Sequence, residues 1–290
     1  MVELECVVAG RNRLGESPVW SIREQRLYWV DSRGPSVHRL DPATGTVENR
    51  PLPEIVGSIC LRAGGGLIVA MQSGLHAYDF DGGRLTALTD PESDQPENRF
   101  NDGRCDRRGR FWAGTMNDTR RDPTGALYRF DRDHSIHRMR DDIIVPNSIC
   151  WSPDDRVMYF ADTYRDLLLR FDFDADAGVI ANPVQIADTS STAGRPDGST
   201  VDAEGYLWNA MFGGGRLIRY APDGRVDREV ALPVTQPSSC SFGGPDLSIL
   251  YVTSGTQRLT EDELARQPLA GGLFALDVGV RGLPEPEFAG

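Results

Sequence analysis

Four carboxylate or amide side chains stand at matching places in four separate motifs of the sequence. They are Glu16 in LGESPVW, Asn101 in NRFNDG, Asn147 in VPNSIC and Asp197 in RPDGST. Carboxylate and amide oxygens are the ligands that hard divalent cations such as calcium, magnesium and manganese prefer. Two carboxylates can neutralise such an ion, and the neutral Asn147 would leave positions for water or substrate, as a catalytic metal requires.

Simpler roles stay open for the same four side chains. They could hold a calcium ion that only stabilises the structure, hydrogen-bond water, or make capping contacts in turns. For Asp102, which follows Asn101, we predict such a turn-capping role.

Other catalytic centres find little support in the residues. His38 and His76 occupy equivalent places three residues before an aspartate, which favours a structural role, and His134 and His137 lie in the polar stretch RDRDHSIHR. A GxSxG motif is absent, so a Ser-His-Asp hydrolase lacks its nucleophile elbow. All 31 basic residues are arginine, which excludes lysine Schiff-base chemistry and a Walker lysine.

The five cysteines include no CxxC pair, so reduced thiols are expected rather than disulfides or a cysteine-rich zinc site. Four of them open a repeated unit, where we expect the innermost strand to begin and small buried residues to pack; a catalytic thiol is the alternative. These four are Cys60, Cys105, Cys150 and Cys240.

The distant motifs need a scaffold that brings them together, and a unit recurring about every 40 to 50 residues supplies one. The unit has a strand ending in an aromatic pair and a second strand closing on aromatic-Asp, with DG, GG or DPATG turns between them. The six copies open with VWSIREQRLYWVD, CLRAGGGLIVAM, CDRRGRFWAGTM, CWSPDDRVMYFADT, VDAEGYLWNAMFGGG and CSFGGPDLSILYVTSG. Such runs indicate small antiparallel sheets.

Six repeated sheets predict an all-β fold, a six-bladed β-propeller, formed by residues 1–290 as one domain. In this architecture the loops entering the innermost strands meet at the axis, and the four polar residues precede the unit openings by three or four residues. The segment VELECVVAG is expected to add an outer strand to the last blade and close the ring. A short helix is expected in TEDELARQP, with Thr260 as its cap.

The overall charge and the N-terminus limit the partners and the location. A net charge of −12 disfavours nucleic acid and anionic membranes, because both attract clustered positive charge. The N-terminus carries acidic residues and no sustained apolar stretch, and no segment reaches the roughly 18 to 20 apolar residues that span a bilayer. We therefore predict a cytoplasmic protein without a membrane partner, and a monomer because a propeller completes its own core.

Several of these motifs resemble the SMP-30/gluconolactonase family, also called regucalcin-like or sugar lactonase proteins. The matching segments are LGESPVW, NRFNDGRCDRRGRFWAGTM, PNSICWSPDDRVMYFADT, RPDGSTVDAEGYLWNAMFGGGRLIRY and CSFGGPDLSILYVTS, in family order from about residue 14 to 277. The resemblance implies a six-bladed propeller with one divalent metal held by Glu16, Asn147 and Asp197. It also implies that Arg99 and Asn101 contact the substrate.

The implied activity is metal-dependent hydrolysis of a sugar (aldono) lactone to the aldonic acid. Our hypothesis is that the metal polarises the lactone carbonyl and that Asp197 takes the proton of the attacking water. Oxygen ligands favour Ca²⁺, with Zn²⁺, Mn²⁺, Mg²⁺ and Fe²⁺ as alternatives. Arg99 would bind sugar hydroxyls, unless it forms a rim salt bridge with Glu97 or Asp102.

Two rival functions stay open on the same scaffold. One is a paraoxonase-like or phosphotriesterase-like hydrolase, and the other is a non-enzymatic calcium-binding propeller. Substrate choice is expected to reside in the loops DPESDQPENR, NDTRRDPTG and DTSSTAGR and in the segment 254–271. Their arginines are compatible with a polyhydroxylated or acidic lactone.

Overall fold

The computed structural model describes residues 3–290, so Val2, the first residue of the predicted closing strand, lies outside it. The described chain folds into six four-stranded sheets whose neighbouring strands are antiparallel. The innermost strands of successive sheets contact one another in a ring. The prediction of a six-bladed β-propeller is therefore confirmed.

The first strand, β1 (Glu3–Val8), belongs to the last blade, and blades 1 to 3 are each a consecutive run of four strands. Blade 1 comprises β2 (Gly15–Ser21), β3 (Arg26–Asp31), β4 (Ser36–Asp41) and β5 (Thr46–Pro51). Blade 2 comprises β6 (Val56–Leu61), β7 (Leu67–Met71), β8 (Gly74–Asp79) and β9 (Arg84–Thr89). Blade 3 comprises β10 (Asn98–Cys105), β11 (Phe111–Asn117), β12 (Gly125–Phe130) and β13 (Ile136–Ile143).

Blades 4 and 5 follow the same pattern, and blade 6 joins both ends of the chain. Blade 4 comprises β14 (Pro146–Trp151), β15 (Val157–Asp162), β16 (Leu167–Asp174) and β17 (Val179–Asp188). Blade 5 comprises β18 (Arg195–Val201), β19 (Leu207–Phe212), β20 (Arg216–Tyr220) and β21 (Val226–Ala231). Blade 6 comprises β22 (Pro237–Gly243), β23 (Ile249–Ser254), β24 (Leu273–Asp277) and β1. Because β1 pairs with β24, the N-terminal segment closes the ring as expected.

Adjacent aromatic residues lie on the second strand of blades 1, 3 and 4, and the second strand of blade 5 carries Trp208. In blades 3 and 5 the indole N–H groups of Trp112 and Trp208, both fully buried, donate to Asp106 and Asp202 at 2.9 Å. These aspartates follow the innermost strand, so each pair ties the first hairpin of its blade together. A buried indole N–H is stabilised by such an acceptor, so these two Asp–Trp pairs strengthen their hairpins.

The innermost strands begin earlier in the sequence than the prediction based on the cysteines placed them. Cys60, Cys105 and Cys150 lie in the last two residues of β6, β10 and β14, and Cys240 lies in the middle of β22. The expectation that they mark the beginning of these strands is therefore wrong. The strands begin three to seven residues before these cysteines, within segments that a sequence reading assigns to loops. All four cysteines are free and buried.

Two short helices decorate the rims. Helix α1 (Glu261–Arg266) begins after Thr260, whose hydroxyl accepts the N–H of Glu263 at 3.3 Å while the Glu263 carboxylate accepts the N–H of Thr260 at 2.8 Å. This capping box confirms the predicted helix start. A 3₁₀ turn, Thr163–Arg165, follows β15. Within residues 3–290 no helix is long and apolar enough to span a bilayer.

The C-terminal segment packs against the ends of the innermost strands that lie away from the polar residues. The N–H of Phe288 donates to the carbonyl of Leu61 at 2.8 Å, and the fully buried ring stacks on Phe130 with centroids 5.1 Å apart. Glu285 pairs with Arg104 at 3.5 Å. This segment therefore covers the far end of the axial channel.

Candidate active site

The four polar residues singled out in the sequence meet at the axis. Glu16, Asn101, Asn147 and Asp197 all line one solvent-open cavity of about 270 Å³. Each lies within the first four residues of an innermost strand, in β2, β10, β14 and β18. They are therefore strand residues, and the expectation that they lie in the preceding loops is corrected.

A β-bulge lies at or directly beside each of these residues and orients its side chain. The pairing register between the first and second strand shifts around all four residues. Bulges leave a residue unpaired and turn its side chain, and they are common beside active sites. Ser17 and Ser148, which follow Glu16 and Asn147, accordingly have left-handed backbones with φ of 50° and 59°.

The bulged segments also join neighbouring blades. Ser17 Oγ accepts the N–H of Ile59 in blade 2 at 2.9 Å, and Ser148 Oγ donates to the backbone carbonyl of Asp197 in blade 5 at 2.6 Å. Asn209 Nδ2 donates to the same carbonyl at 3.0 Å. The main chain at Asp197 is therefore fixed from two sides.

Asp102 does not cap a turn, contrary to the prediction. Its Oδ2 accepts the N–H of Ile149 from the next blade at 2.9 Å, and burial raises its pKa above the ordinary value. Its negative charge also raises the pKa values of Glu16 and Asp197. The charge of Asp102 therefore contributes to the electrostatic potential at the axis.

Two aspartates at the ends of second strands hold the chain just before two of the site residues. Asp31, at the end of β3, accepts the N–H groups of Arg13 at 2.8 Å and Leu14 at 3.0 Å, which precede Glu16. Asp162, at the end of β15, accepts the N–H of Ile144 and Val145 at 3.1 Å. These hydrogen bonds fix the main chain where it enters β2 and β14.

Thr163 orients the amide of Asn147. Asn147 Nδ2 donates to Thr163 Oγ1 at 2.7 Å, and this hydroxyl donates to the carbonyl of Pro196 at 2.8 Å. Because Thr163 takes the amide nitrogen, the amide oxygen faces Asn101, whose Nδ2 lies 3.2 Å away. Sequence reasoning missed Thr163, although its place in FADT, directly after a strand that ends on Asp162, is a usable signal.

The two carboxylates of the site differ in burial and feel the same arginine: Asp197 is buried, Glu16 is half-buried, and the positive charge of Arg99 opposes the rise in both pKa values. Burial raises the pKa of Glu16 well above its ordinary range, and the negative charges of Asp197 and Asp102 raise it further. Burial is also the largest cause that raises the pKa of Asp197, and the negative charge of Asp102 raises it further. Neither forms an ion pair within residues 3–290. Such a pair is costly unless a cation compensates it, so the donor set fits a divalent metal.

The candidate metal site is not formed by acidic, histidine and cysteine side chains alone, because it also needs an amide oxygen. No three of them come together in a way that could hold a metal ion in the described part of the chain. The candidate set has two carboxylates and reaches three ligands through the amide oxygen of Asn147. This composition leaves coordination positions for water or a substrate oxygen.

Arg99 forms one wall of the cavity beside Asn101. Its side chain is buried, its Nε donates to Asp118 at 2.7 Å, and its Nη1 donates to Asn101 Oδ1 at 2.8 Å. The open alternative of a rim salt bridge to Glu97 or Asp102 is wrong, because the partner is Asp118. Burial lowers the pKa of Arg99 to about 10, against the opposing charge of Asp118.

Asp118 is shared between two arginines. Arg33 donates to it through two nitrogens at 2.5 and 2.7 Å, in addition to Arg99. Burial alone would raise the pKa of Asp118, but the hydrogen bonds and charges of both arginines hold it below the ordinary value. Sequence reasoning missed this residue, which follows the second strand of blade 3 just as Thr163 follows that of blade 4.

A family model described as SMP-30/Gluconolactonase/LRE-like region matches residues 14–256. The chain belongs to this family. The SMP-30/gluconolactonase resemblance seen in the motifs is thus confirmed across the whole propeller.

Relatives within the SMP-30/gluconolactonase family match the full length. The chain is 42% identical over 287 residues to 6-deoxy-6-sulfogluconolactonase of Pseudomonas putida, covering 99% of each protein. It is 38% identical to regucalcin of Xenopus laevis, covering 100% of this chain and 99% of that one. The crystal structure of a calcium-binding protein, regucalcin, from Agrobacterium tumefaciens shows a TM-score of 0.94 at 33% identity, covering 98% of this chain and 96% of that one.

Proposed function

We propose that this protein is a lactonase that hydrolyses a sugar lactone to the aldonic acid and uses one divalent cation bound by Glu16, Asn147 and Asp197. The observation that carries the proposal is the presence, in one open cavity, of a fixed amide oxygen and two carboxylates that form no ion pair within residues 3–290. A full-length relative named as a sulfogluconolactonase supports the reaction class.

When bound, a divalent cation supplies Lewis acidity towards the lactone carbonyl and the developing oxyanion. The all-oxygen donor set favours Ca²⁺, and Mg²⁺, Mn²⁺, Zn²⁺ and Fe²⁺ are the alternatives. Thr163 contributes by presenting the oxygen rather than the nitrogen of Asn147. Second-sphere contacts of this kind set ligand orientation.

Asp197 acts as the base in this proposal. It takes a proton from the water whose oxygen attacks the lactone carbonyl carbon, and returns that proton to the ring oxygen when the carbon–oxygen ring bond breaks. No histidine lines the cavity among the described residues, which leaves a carboxylate for the task. The hydrogen bonds from Ser148 and Asn209 to its backbone carbonyl keep the carboxylate in place.

Arg99 and Asn101 bind and orient the sugar. Their side chains are already joined at 2.8 Å, and the contact of Arg99 with Asp118 fixes the guanidinium plane. A fixed planar fork suits neighbouring hydroxyl oxygens. Pre-positioned polar groups lower the cost of ordering the substrate before attack.

The Asp197→Ala variant tests the assignment. Removal of one metal ligand and of the base lowers kcat/KM for lactone hydrolysis by roughly 10³-fold or more. Circular dichroism and thermal unfolding of the metal-free proteins verify that the propeller remains folded. The exposed Asp176→Ala, in the turn between β16 and β17, is the matched control and keeps wild-type turnover. An Asp197→Ala variant with wild-type activity would show that the site is misplaced.

Three further properties are proposed from the sequence alone. They are a single domain over residues 1–290, a monomeric state and a cytoplasmic location. Size-exclusion chromatography with light scattering measures the second of these directly.

A further inference from the structure

Three arginines gather around one tyrosine in the cavity that contains the candidate metal ligands. Arg121, Arg195 and Arg258 line this cavity together with Tyr164. The guanidinium carbons of Arg195 and Arg121 lie 4.5 and 5.5 Å from the centre of the Tyr164 ring. The three arginines come from three different blades, so only the folded propeller assembles them.

The charges of this group are poorly compensated by the protein. Arg195 contacts Asp166 at 3.3 Å. Within residues 3–290 the single ion pair of Arg121 is with Asp118 at 3.7 Å, and Asp118 already binds two other arginines. Arg258 forms no ion pair within residues 3–290, and its side chain is exposed.

The acidic residues of the cavity do not offset this excess. Glu16 and Asp197 are the only carboxylates among the lining residues, and the proposed divalent cation neutralises both. A region of positive potential therefore remains in a chain whose net charge is −12. Arginines in such a position raise the local concentration of anions and bind their oxygens through paired N–H groups.

The hydroxyl of Tyr164 reports the same positive environment. Burial alone would raise the pKa of Tyr164, but hydrogen bonding by Arg258 and the charges of Arg121 and Arg258 outweigh it and bring the pKa below its ordinary value. The anionic form of a group at this place is thus favoured.

We propose that the lactone substrate carries an anionic substituent, remote from its carbonyl, that is bound by Arg121, Arg195 and Arg258. This inference rests on the proposed lactonase function. A sulfonate, a phosphate ester and a carboxylate share the required chemistry, which is a negative charge spread over several acceptor oxygens. The loops that present these arginines are among those expected from the sequence to choose the substrate.

Steady-state hydrolysis of four matched lactones tests the proposal. They are gluconolactone, which is neutral, and its 6-phosphate, its 6-deoxy-6-sulfonate and the lactone of glucaric acid. With metal-loaded protein, at least one anionic lactone should have a kcat/KM tenfold or more above that of the neutral one, and the best of the three identifies the group. The preference should shrink as salt is raised, because exposed charges are screened.

Arginine variants test which residues cause the preference for anionic over neutral lactones. Arg258→Gln and Arg121→Gln should each lower the anionic-to-neutral ratio of kcat/KM by tenfold or more, mainly through KM. Arg84→Gln, an exposed arginine on an outer strand, is the matched control and should keep the wild-type ratio.

The outcomes separate this inference from the function on which it rests. Equal kcat/KM for all four lactones, or an unchanged ratio in Arg258→Gln, would overturn the anionic-substituent proposal and leave the lactonase function intact. Hydrolysis of none of the lactones by folded, metal-loaded protein would overturn the lactonase function itself.

Discussion

Replacement of Thr163 by valine removes one hydroxyl behind the candidate metal site and almost no volume. In the wild type this hydroxyl accepts from Asn147 Nδ2 at 2.7 Å and donates to the carbonyl of Pro196 at 2.8 Å. All the groups involved are buried. The valine variant would therefore leave the Asn147 amide N–H without its acceptor and free the amide to rotate.

The expected magnitudes follow from these two hydrogen bonds. A buried polar group left without a partner costs about 1–3 kcal/mol, so the free energy of unfolding of the metal-free protein should fall by about 2 kcal/mol. For a domain of this size that lowers Tm by roughly 3 °C. Loss of a contact that orients a ligand weakens metal affinity by roughly 10- to 100-fold.

Chelator competition measures metal affinity, and calorimetry of the stripped proteins measures the change in Tm. Thr163→Ser keeps the hydroxyl and should restore metal affinity to within a few-fold of wild type, which separates orientation from general destabilisation. Wild-type metal affinity and lactone turnover in Thr163→Val would refute the role of Thr163 in orienting Asn147.

Two further variants test the fold. Phe288→Ala empties a fully buried site against Phe130 and should lower the free energy of unfolding by about 3–5 kcal/mol in urea titrations, while an unchanged midpoint would mean that the C-terminal segment does not close the channel. Burial lowers the pKa of His38 to about 4, and the negative charge of Asp31 partly offsets this shift. Between pH 6.5 and 4 the unfolded chain therefore binds more protons than the folded chain, so the free energy of unfolding falls as the pH is lowered through this window. His38→Leu should lessen that loss by about 2 kcal/mol, and an identical pH profile would contradict the shift.

The repeat made the architecture predictable. Aromatic residues, closing aspartates and hairpin turns recur in most of the six units, and some have a clear structural role, as Asp106 with Trp112 illustrates. The outer strand β1 and the capping box at Thr260 also follow from local patterns. Local chemistry and global topology agree at these places, which is why sequence reasoning succeeds there.

The strand boundaries at the axis could not be read in the same way. Glu16 and Asn147 look like loop residues because polar side chains beside Ser and Pro are typical of turns, whereas bulges place them inside strands. Bulges have no reliable sequence signal. The boundaries assigned to the cysteines were displaced for the same reason.

Contacts between strands and between blades were equally invisible in the sequence. The partner of Arg99 is Asp118, at the end of the neighbouring strand of the same blade, rather than Glu97 or Asp102. Asp102 bonds to Ile149 of the next blade, a contact that depends on how two blades pack and that local patterns do not encode. The gathering of Arg121, Arg195 and Arg258 depends on the same packing.

The most direct test of the account is lactone hydrolysis by protein stripped with a chelator and then reloaded with single metals. Acid release from a panel of aldonolactones should be abolished by chelation and restored by one divalent cation at one ion per chain, as the ligands Glu16, Asn147 and Asp197 require. Full turnover by the stripped protein would contradict the metal-dependent mechanism. Stoichiometric metal binding with no lactone hydrolysed would instead support a propeller whose metal is structural.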